Sequence, residues 1–327
     1  MVLIIGPGAV GTILAAYLSR AGQPVNLLIR EKYRAGFEAA PALRVDRVGG
    51  STLTAPKPVF TTSLDLTGVD TVMVCVKFPD LDALLTQLPP LPANLTLISA
   101  LNGVAASRLI RQRLPAAKIV TMSVMYNGQL LAPLHAQLTT NPQVIIGSED
   151  QKLLSLFDGS GMQVKRARGD DGAWGKLLIN LANAVCALTH TTFKDLFTQH
   201  DLRAIYAGVL DEAIGLMEKS GVPYQLPMPL PYPAFRAMLL HGGPLPWWVA
   251  KLKNGVQEGA YPSMVADLDS GRKTEVDQLN GEIVRLGLEH RTPTPVNAKI
   301  VELVHELEAQ KGAKYLQPKD LRTRLLA

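Results

Sequence analysis

Residues able to hold a nucleotide stand at the start of the chain, in Gly6-Pro7-Gly8-Ala9-Val10-Gly11. The run follows an apolar stretch, Val2 to Ile5, and opens a segment whose Val10, Ile13, Leu14, Tyr17 and Leu18 fall on one helical stripe. In that setting the three glycines have separate jobs. Gly6 permits a tight turn, Gly8 lets the backbone approach a pyrophosphate, and Gly11 lets the helix pack closely on the strand. N–H groups at the helix's N-terminus, of Ala9 and Val10 beyond Pro7, then face the phosphates. A lone glycine fingerprint is weak, but one placed between a strand and an amphipathic helix is a specific sign of dinucleotide binding. After the second apolar run, Val25 to Ile29, comes Arg30, where NAD-preferring sites place an acid. Its planar fork of donors suits a 2′-phosphate, with Lys32 and Arg34 close by, so the expected cofactor is NADP (NADPH). Glu31 keeps open the opposite register, and a plain solvated strand end is the bland alternative for Arg30. Lys77 and Asn102 follow two further strand runs, and ligands of such sheets bind beyond the carboxyl ends of the strands.

A second polar set lies in the latter half. The run from Trp174 to Leu188 is apolar almost all round, which indicates burial, yet it carries Lys176, Asn180 and Asn183. At about 100° per residue, Asn180 lies roughly 40° and Asn183 roughly 20° from Lys176, so the three share one helix face. A buried ammonium is costly unless something offsets it. One reading is a functional stripe facing an interdomain cleft; the other is a lysine that snorkels to water above structural asparagines. Further on, Val276, Leu279, Ile283 and Leu286 form an apolar stripe, and Glu275 sits at its edge on what reads as a helix from Val256 to Leu286. That position invites a buried partner for the carboxylate, with a surface ion pair as the alternative. Ser263, in Tyr261-Pro262-Ser263-Met264, is the remaining polar candidate.

The elements that must carry these residues divide the chain in two. Apolar runs at 2–5, 25–29, 71–76, 95–99, 119–123 and 144–146 alternate with helical patterns, the mark of a parallel sheet covered on both faces. From Ala173 onward only helical periodicity is evident, with segments at 173–188, 201–220, 256–286 and 296–310. The expected joint is the polar stretch Arg166-Ala167-Arg168-Gly169-Asp170-Asp171, giving domains 1–168 and 169–327. The expected fold is therefore α/β: a Rossmann-type doubly wound parallel sheet followed by an all-helical C-terminal domain.

Composition narrows the function. The net charge of +5 is scattered, without the aromatic-basic interleaving of single-strand binders, so no nucleic-acid partner is expected. The six His and two Cys lack the short spacings of zinc motifs, so no metal is expected. Cys75 and Cys186 lie in apolar surroundings, as buried thiols of a reducing compartment do. With no apolar run near the roughly 18 residues of a membrane span and no leader pattern at Met1, the expectation is a cytoplasmic protein with no membrane partner.

Taken in order, Gly6 to Gly11 with Arg30, Val76-Lys77, Asn102-Gly103, Trp174-Gly175-Lys176-Leu177 with Asn180, Pro262-Ser263-Met264, and Thr274-Glu275-Val276-Asp277 through Asn280-Gly281 resemble the ketopantoate reductase family. The stretch Thr292-Pro293-Thr294-Pro295-Val296-Asn297 is similar to that family's entry to its last helix. The resemblance implies an NADPH-dependent oxidoreductase, 2-dehydropantoate 2-reductase, that reduces ketopantoate to pantoate in pantothenate biosynthesis. It implies Lys176 and Glu275 as catalytic residues, with Asn180, Asn183, Ser263 and Asn102 holding the substrate. Lys77 and Asn102 also match positions near the cofactor. The partner implied is a small 2-oxo acid, with a homodimer left open.

Two departures qualify this reading. The family's second helix asparagine falls one position later, where this chain has Ala184 after Asn183. The stretch from Val222 to Trp248 holds seven prolines and the Trp247-Trp248 pair, and cannot be one regular helix. The alternatives carried forward are a reductase of the same scaffold acting on another 2-oxo acid, and a non-catalytic NADP sensor, which would be expected to have lost Lys176 and Glu275.

Overall fold

The computed structural model describes residues 1–228, 230–254, 256–310 and 314–326. Its strands are β1 (Val2–Ile5), β2 (Val25–Leu28), β3 (Leu43–Arg47), β4 (Leu53–Ala55), β5 (Val59–Thr61), β6 (Thr71–Val74), β7 (Thr96–Ser99), β8 (Lys118–Val124), β9 (Gly128–Ala132), β10 (His135–Leu138), β11 (Gln143–Ile146) and β12 (Gln163–Arg166). Eight of them form one sheet in the order β12-β11-β8-β7-β6-β1-β2-β5. The run β5-β2-β1-β6-β7-β8 is parallel throughout and is the doubly wound order whose direction reverses between β1 and β6. The sheet is not wholly parallel: β11 runs antiparallel to β8, and β12 then pairs parallel to β11.

Every residue of β1, β6 and β7 is buried, because helices or a second layer cover both faces of the sheet. Alternate side chains enter different cores. Val2 and Ile4 join the one built with Ile13, Leu14, Tyr17 and Leu18 of helix Ala9–Arg20, while Leu3 and Ile5 join the one built with Leu81, Leu84 and Leu85 of helix Phe78–Gln87. The first helix is covered in turn by a four-stranded sheet, order β4-β3-β10-β9, which the sequence reading did not anticipate.

The chain separates into two compact units, Met1–Ala173 and Trp174–Ala327. The expected joint at Arg168 falls a few residues short of this, and the reason is visible. Ala167 N–H donates to Ile146 O at 2.9 Å, the Thr121 hydroxyl donates to Gly169 O at 2.8 Å, and Arg111 grips Asp170 through Nη1 and Nη2 at 2.6 and 2.9 Å. The polar stretch read as a linker is thus fastened to the first unit.

Described residues of the second unit form helices and connecting turns without strands. Two sequence expectations change here. The run 173–188 is two helices, Asp171–Asn180 and Ala182–Thr189, interrupted at Leu181, whose N–H is shared between Leu177 O and Leu178 O. The expected helix 256–286 is helix Ser263–Asp269, a turn through 275–279, and helix Asn280–Glu289. Helices His200–Lys219 and Pro295–Ala309 lie within a residue of their sequence-read bounds. The proline-rich stretch supplies helices Tyr232–His241 and Leu245–Asn254, each with proline in its first turn or just before it, where the missing N–H is harmless.

Candidate functional site

In the first unit the nucleotide-reading residues gather at the carboxyl ends of β1, β2, β6 and β7. Gly6 has φ of +101°, which favours glycine, and a Cβ there would lie 2.8 Å from the Cys75 carbonyl and Val76 N, backbone of the turn after β6. A Cβ on Gly11 would strike the carbonyl oxygen of Gly6 and press on Ile4 of β1. Around Gly8, by contrast, a Cβ would meet nothing within 4 Å. So two glycines hold the turn against the sheet and the middle one leaves backbone open, as a pyrophosphate site requires. The helix it opens, Ala9–Arg20, has no side-chain cap and no acid in its first turn. Its N-terminal partial positive charge is left for an anion.

Arg30 is exposed just beyond β2, and its Nη2 lies 3.5 Å from Asp80 Oδ1 at the start of helix Phe78–Gln87. Asp80 was not singled out in the sequence; spacing alone does not reveal that side chains beyond β2 and β6 reach each other across the end of β1. Glu31 begins a short 3-10 turn and makes its ion pair with Arg34 at 3.6 Å, so the acid that clouded the sequence reading is engaged with a neighbour in its own turn. Lys77 is exposed directly before helix Phe78–Gln87, and Asn102 is half-buried beyond β7, next to Gly103 with φ of +73°.

In the second unit, Lys176 is half-buried on helix Asp171–Asn180. Burial lowers its pKa from the ordinary 10.5 to about 8, and the Glu275 carboxylate partly opposes that fall. The carboxylate is thus near enough to the ammonium to act on its charge. The residue before the lysine explains its own identity. A Cβ on Gly175 would collide with the carbonyl oxygen of Gln225, so the proline-rich stretch lies across this turn of helix and only glycine admits it. Beneath the same helix, the buried Tyr206 hydroxyl donates to Ile179 O at 3.3 Å.

Glu275 is half-buried and stands in a turn, not on the helix expected for it. Gln278 N–H bonds Glu275 O at 3.1 Å and Leu279 N–H bonds Val276 O at 3.2 Å, a tight i to i+3 pattern that breaks at Leu279 before helix Asn280–Glu289 begins. Val276, Leu279, Ile283 and Leu286 are nonetheless all buried, so the apolar stripe was legible although half of it is turn. Of the other candidates, Asn180 ends the lysine helix half-buried, Asn183 is buried in the next helix, and Ser263 is exposed at the start of helix Ser263–Asp269. At the break between the two helices Leu181 itself keeps helical dihedrals, φ of −58° and ψ of −23°, with its N–H still bonded to Leu177 O at 3.1 Å.

Other groups with reactive chemistry are disposed for structure. Cys75 and Cys186 are free thiols, and burial pushes Cys186 up to about 12, far from the thiolate a nucleophile needs. Among the described residues no cluster of three or more His, Cys, Asp or Glu could hold a metal, and no helix is long and apolar enough to cross a membrane.

Two family models match the chain: ketopantoate reductase PanE/ApbA over residues 2–151, and the ketopantoate reductase PanE/ApbA C-terminal model over residues 170–308. The 2-dehydropantoate 2-reductase of Caulobacter vibrioides is 29% identical over 310 residues, covering 93% of this chain and 98% of that protein. The enzyme of the same name from Aquifex aeolicus is 26% identical, covering 94% and 96%. Among solved structures, a PanE/ApbA family ketopantoate reductase from Ralstonia eutropha superimposes with a TM-score of 0.75 at 26% identity, covering 94% of this chain and 98% of that one. D-mandelate dehydrogenase, solved with NADH and anilino(oxo)acetate, reaches the same TM-score and coverage at 20% identity, a likeness of fold. With both models aligned across nearly the whole length, on the residues whose geometry is set out above, the chain belongs to the ketopantoate reductase family.

Proposed function

We propose that this protein reduces 2-dehydropantoate to pantoate with NADPH, Lys176 serving as the proton donor and Glu275 as its acidic partner. The observation that carries the reading is the placement of Lys176, half-buried on a largely apolar helix and near enough to the Glu275 carboxylate for that charge to oppose the lowering of its pKa by burial. The cofactor fits the residues present: an open Gly8 backbone, an uncapped helix N-terminus free of acids, and an arginine beyond β2 for a 2′-phosphate. When bound, the reduced nicotinamide supplies a hydride to the keto carbon. Negative charge then develops on the keto oxygen, and the Lys176 ammonium both stabilises it and gives it a proton. A lysine near 8 is still mostly protonated at neutral pH, yet donates far more readily than one near 10.5. Glu275 accepts a hydrogen bond from the substrate hydroxyl or from Lys176, fixing the approach, while Asn180, Asn183 and Ser263 of the same unit offer amide and hydroxyl groups for the polar ends of the keto acid.

A second reading differs only in substrate, a bulkier 2-oxo acid, and is favoured by the fold likeness to D-mandelate dehydrogenase. One panel separates them: steady-state oxidation of NADPH, with NADH in parallel, on ketopantoate, pyruvate, 2-oxoisovalerate and phenylglyoxylate. Preference for ketopantoate supports the first reading, because a buried polar site rejects analogues lacking the hydroxyl strongly. Preference for phenylglyoxylate supports the second. Lys176→Ala should lower kcat by roughly 10²- to 10⁴-fold, and wild-type turnover by that variant would remove the mechanism.

A further inference from the structure

Glu275 sits in a short turn between two helices, and such a turn does not by itself fix a side chain. Helix Pro295–Ala309 grips it at both ends. At the leading end, Glu308 Oε1 accepts the backbone N–H of Thr274, the residue before Glu275, at 2.7 Å. His305, one helical turn earlier, bridges Glu308 Oε2 through Nδ1 at 3.1 Å and Asp277 Oδ1 through Nε2 at 2.9 Å. At the trailing end, Asn280 Nδ2 donates to Asn297 Oδ1 at 3.0 Å, both side chains being buried. Asn297 is locked in turn, its own Nδ2 donating to Glu212 Oε1 at 2.9 Å while Glu212 also accepts the backbone N–H groups of Val296 and Asn297 at 2.8 Å each. One rigid helix thus holds the residues at 274, 277 and 280 and leaves the carboxylate at 275 between them.

We propose that Glu308 and His305 are positioning residues for the reaction, setting the Glu275 carboxylate against Lys176 by clamping its turn, with Asn297 as the fixed rear anchor. The inference rests on the reading of Glu275 given above. Charge supports the clamp. Burial works against ionisation of Glu308, but the Thr274 N–H, the Thr274 side chain and His305 outweigh it and hold the carboxyl below its ordinary range. Burial likewise works against a charged His305, and its bonds to Glu308 and Asp277 outweigh that and raise it.

The test is the kcat pH profile of Glu308→Ala beside Glu308→Gln and Glu275→Gln, with melting temperature and NADPH affinity as controls. Glu308→Ala should lower kcat by about 10- to 100-fold, as an ångström of misplacement can. Its alkaline limb should also move to lower pH, because a displaced Glu275 no longer holds the Lys176 ammonium up. Glu308→Gln should recover most of the rate, since its amide oxygen can still accept the Thr274 N–H. Should Glu308→Ala fail to fold, His305→Ala is read in the same way: a smaller shift in the same direction supports the clamp, and a wild-type profile overturns it. If Glu275→Gln is impaired while Glu308→Ala keeps the wild-type rate and limb, the clamp is wrong and the role of Glu275 stands. If Glu275→Gln is itself wild type, the role of Glu275 falls and the clamp with it.

Discussion

Replacing the Glu275 carboxylate by an amide isolates the electrostatic half of the site from its shape. Burial moves the Lys176 pKa from its ordinary 10.5 to about 8 with Glu275 in place. If the protonated form is the donor, kcat/KM for the keto acid should hold level to about pH 7 and halve near pH 8. By pH 9 about a tenth of the rate should remain, whereas an unperturbed lysine would still be charged there. Glu275→Gln removes the one contribution that raises the amine. A nearby opposite charge is worth roughly 1–3 decades in the protonation constant, so the variant's limb should fall to near neutrality or below. A structural variant that merely loosens the site would lower the plateau without moving the limb. The assay is initial-rate NADPH oxidation between pH 6 and 10 at limiting keto acid, with ionic strength fixed. A wild-type limb above pH 10, or a limb that Glu275→Gln leaves in place, would refute the reasoning.

Two further substitutions probe the two units separately. Arg30→Ala should weaken NADPH by about 10- to 100-fold, the scale of a charged hydrogen bond at about 1.5–3 kcal/mol, and leave NADH nearly unchanged; equal loss for both cofactors, measured by fluorescence titration, would show that Arg30 does not read the 2′-phosphate. Gly175→Ala forces a Cβ into the Gln225 carbonyl and should destabilise the protein by about 1–3 kcal/mol or more through overpacking, which a urea melt would detect, and an unchanged midpoint would mean that the proline-rich stretch yields without resistance.

What the sequence made legible is what repeats with a period or carries a fingerprint. Strands β1, β2, β6, β7, β8 and β11 are apolar runs because both their faces are covered, and the Gly6–Gly11 loop announces itself by spacing. The missed strands lack that covering. All of β9 is exposed, and β12 is nearly so, leaving no hydrophobic pattern to read. A signal was present in β3, where Leu43 and Val45 are buried and Arg44 is exposed, and in β10, where Ala136 and Leu138 are buried between less covered neighbours. This is the alternation of a sheet that packs on one helix and shows its other face to water. In β3 it spans too few residues to stand apart from a loop, and pairing makes it a strand, antiparallel with the nearby β4 on one side and parallel with β10, some ninety residues on, on the other.

The site shows the same division between residue type and residue setting. Lys176 was conspicuous because an ammonium in an apolar helix demands an explanation, and Glu275 because it edges an apolar stripe. The backbone under Glu275 was misjudged, since periodicity cannot separate a helix from a tight turn whose i to i+3 bonds place Val276 and Leu279 much as a helix would. What ends the turn is tertiary: a bond from Thr274 to Glu308 and another from Asn280 to Asn297, partners 34 and 17 residues away. Glu308 and His305 look in sequence like the solvated face of an amphipathic helix, and nothing in their own neighbourhood distinguishes them from Glu302 or Glu306. Charged residues at a helix edge acquire a role only from what faces them. In this chain the candidate chemistry is therefore legible in groups that are costly to bury, while the proposed positioning residues Glu308 and His305 are of types that are cheap to expose.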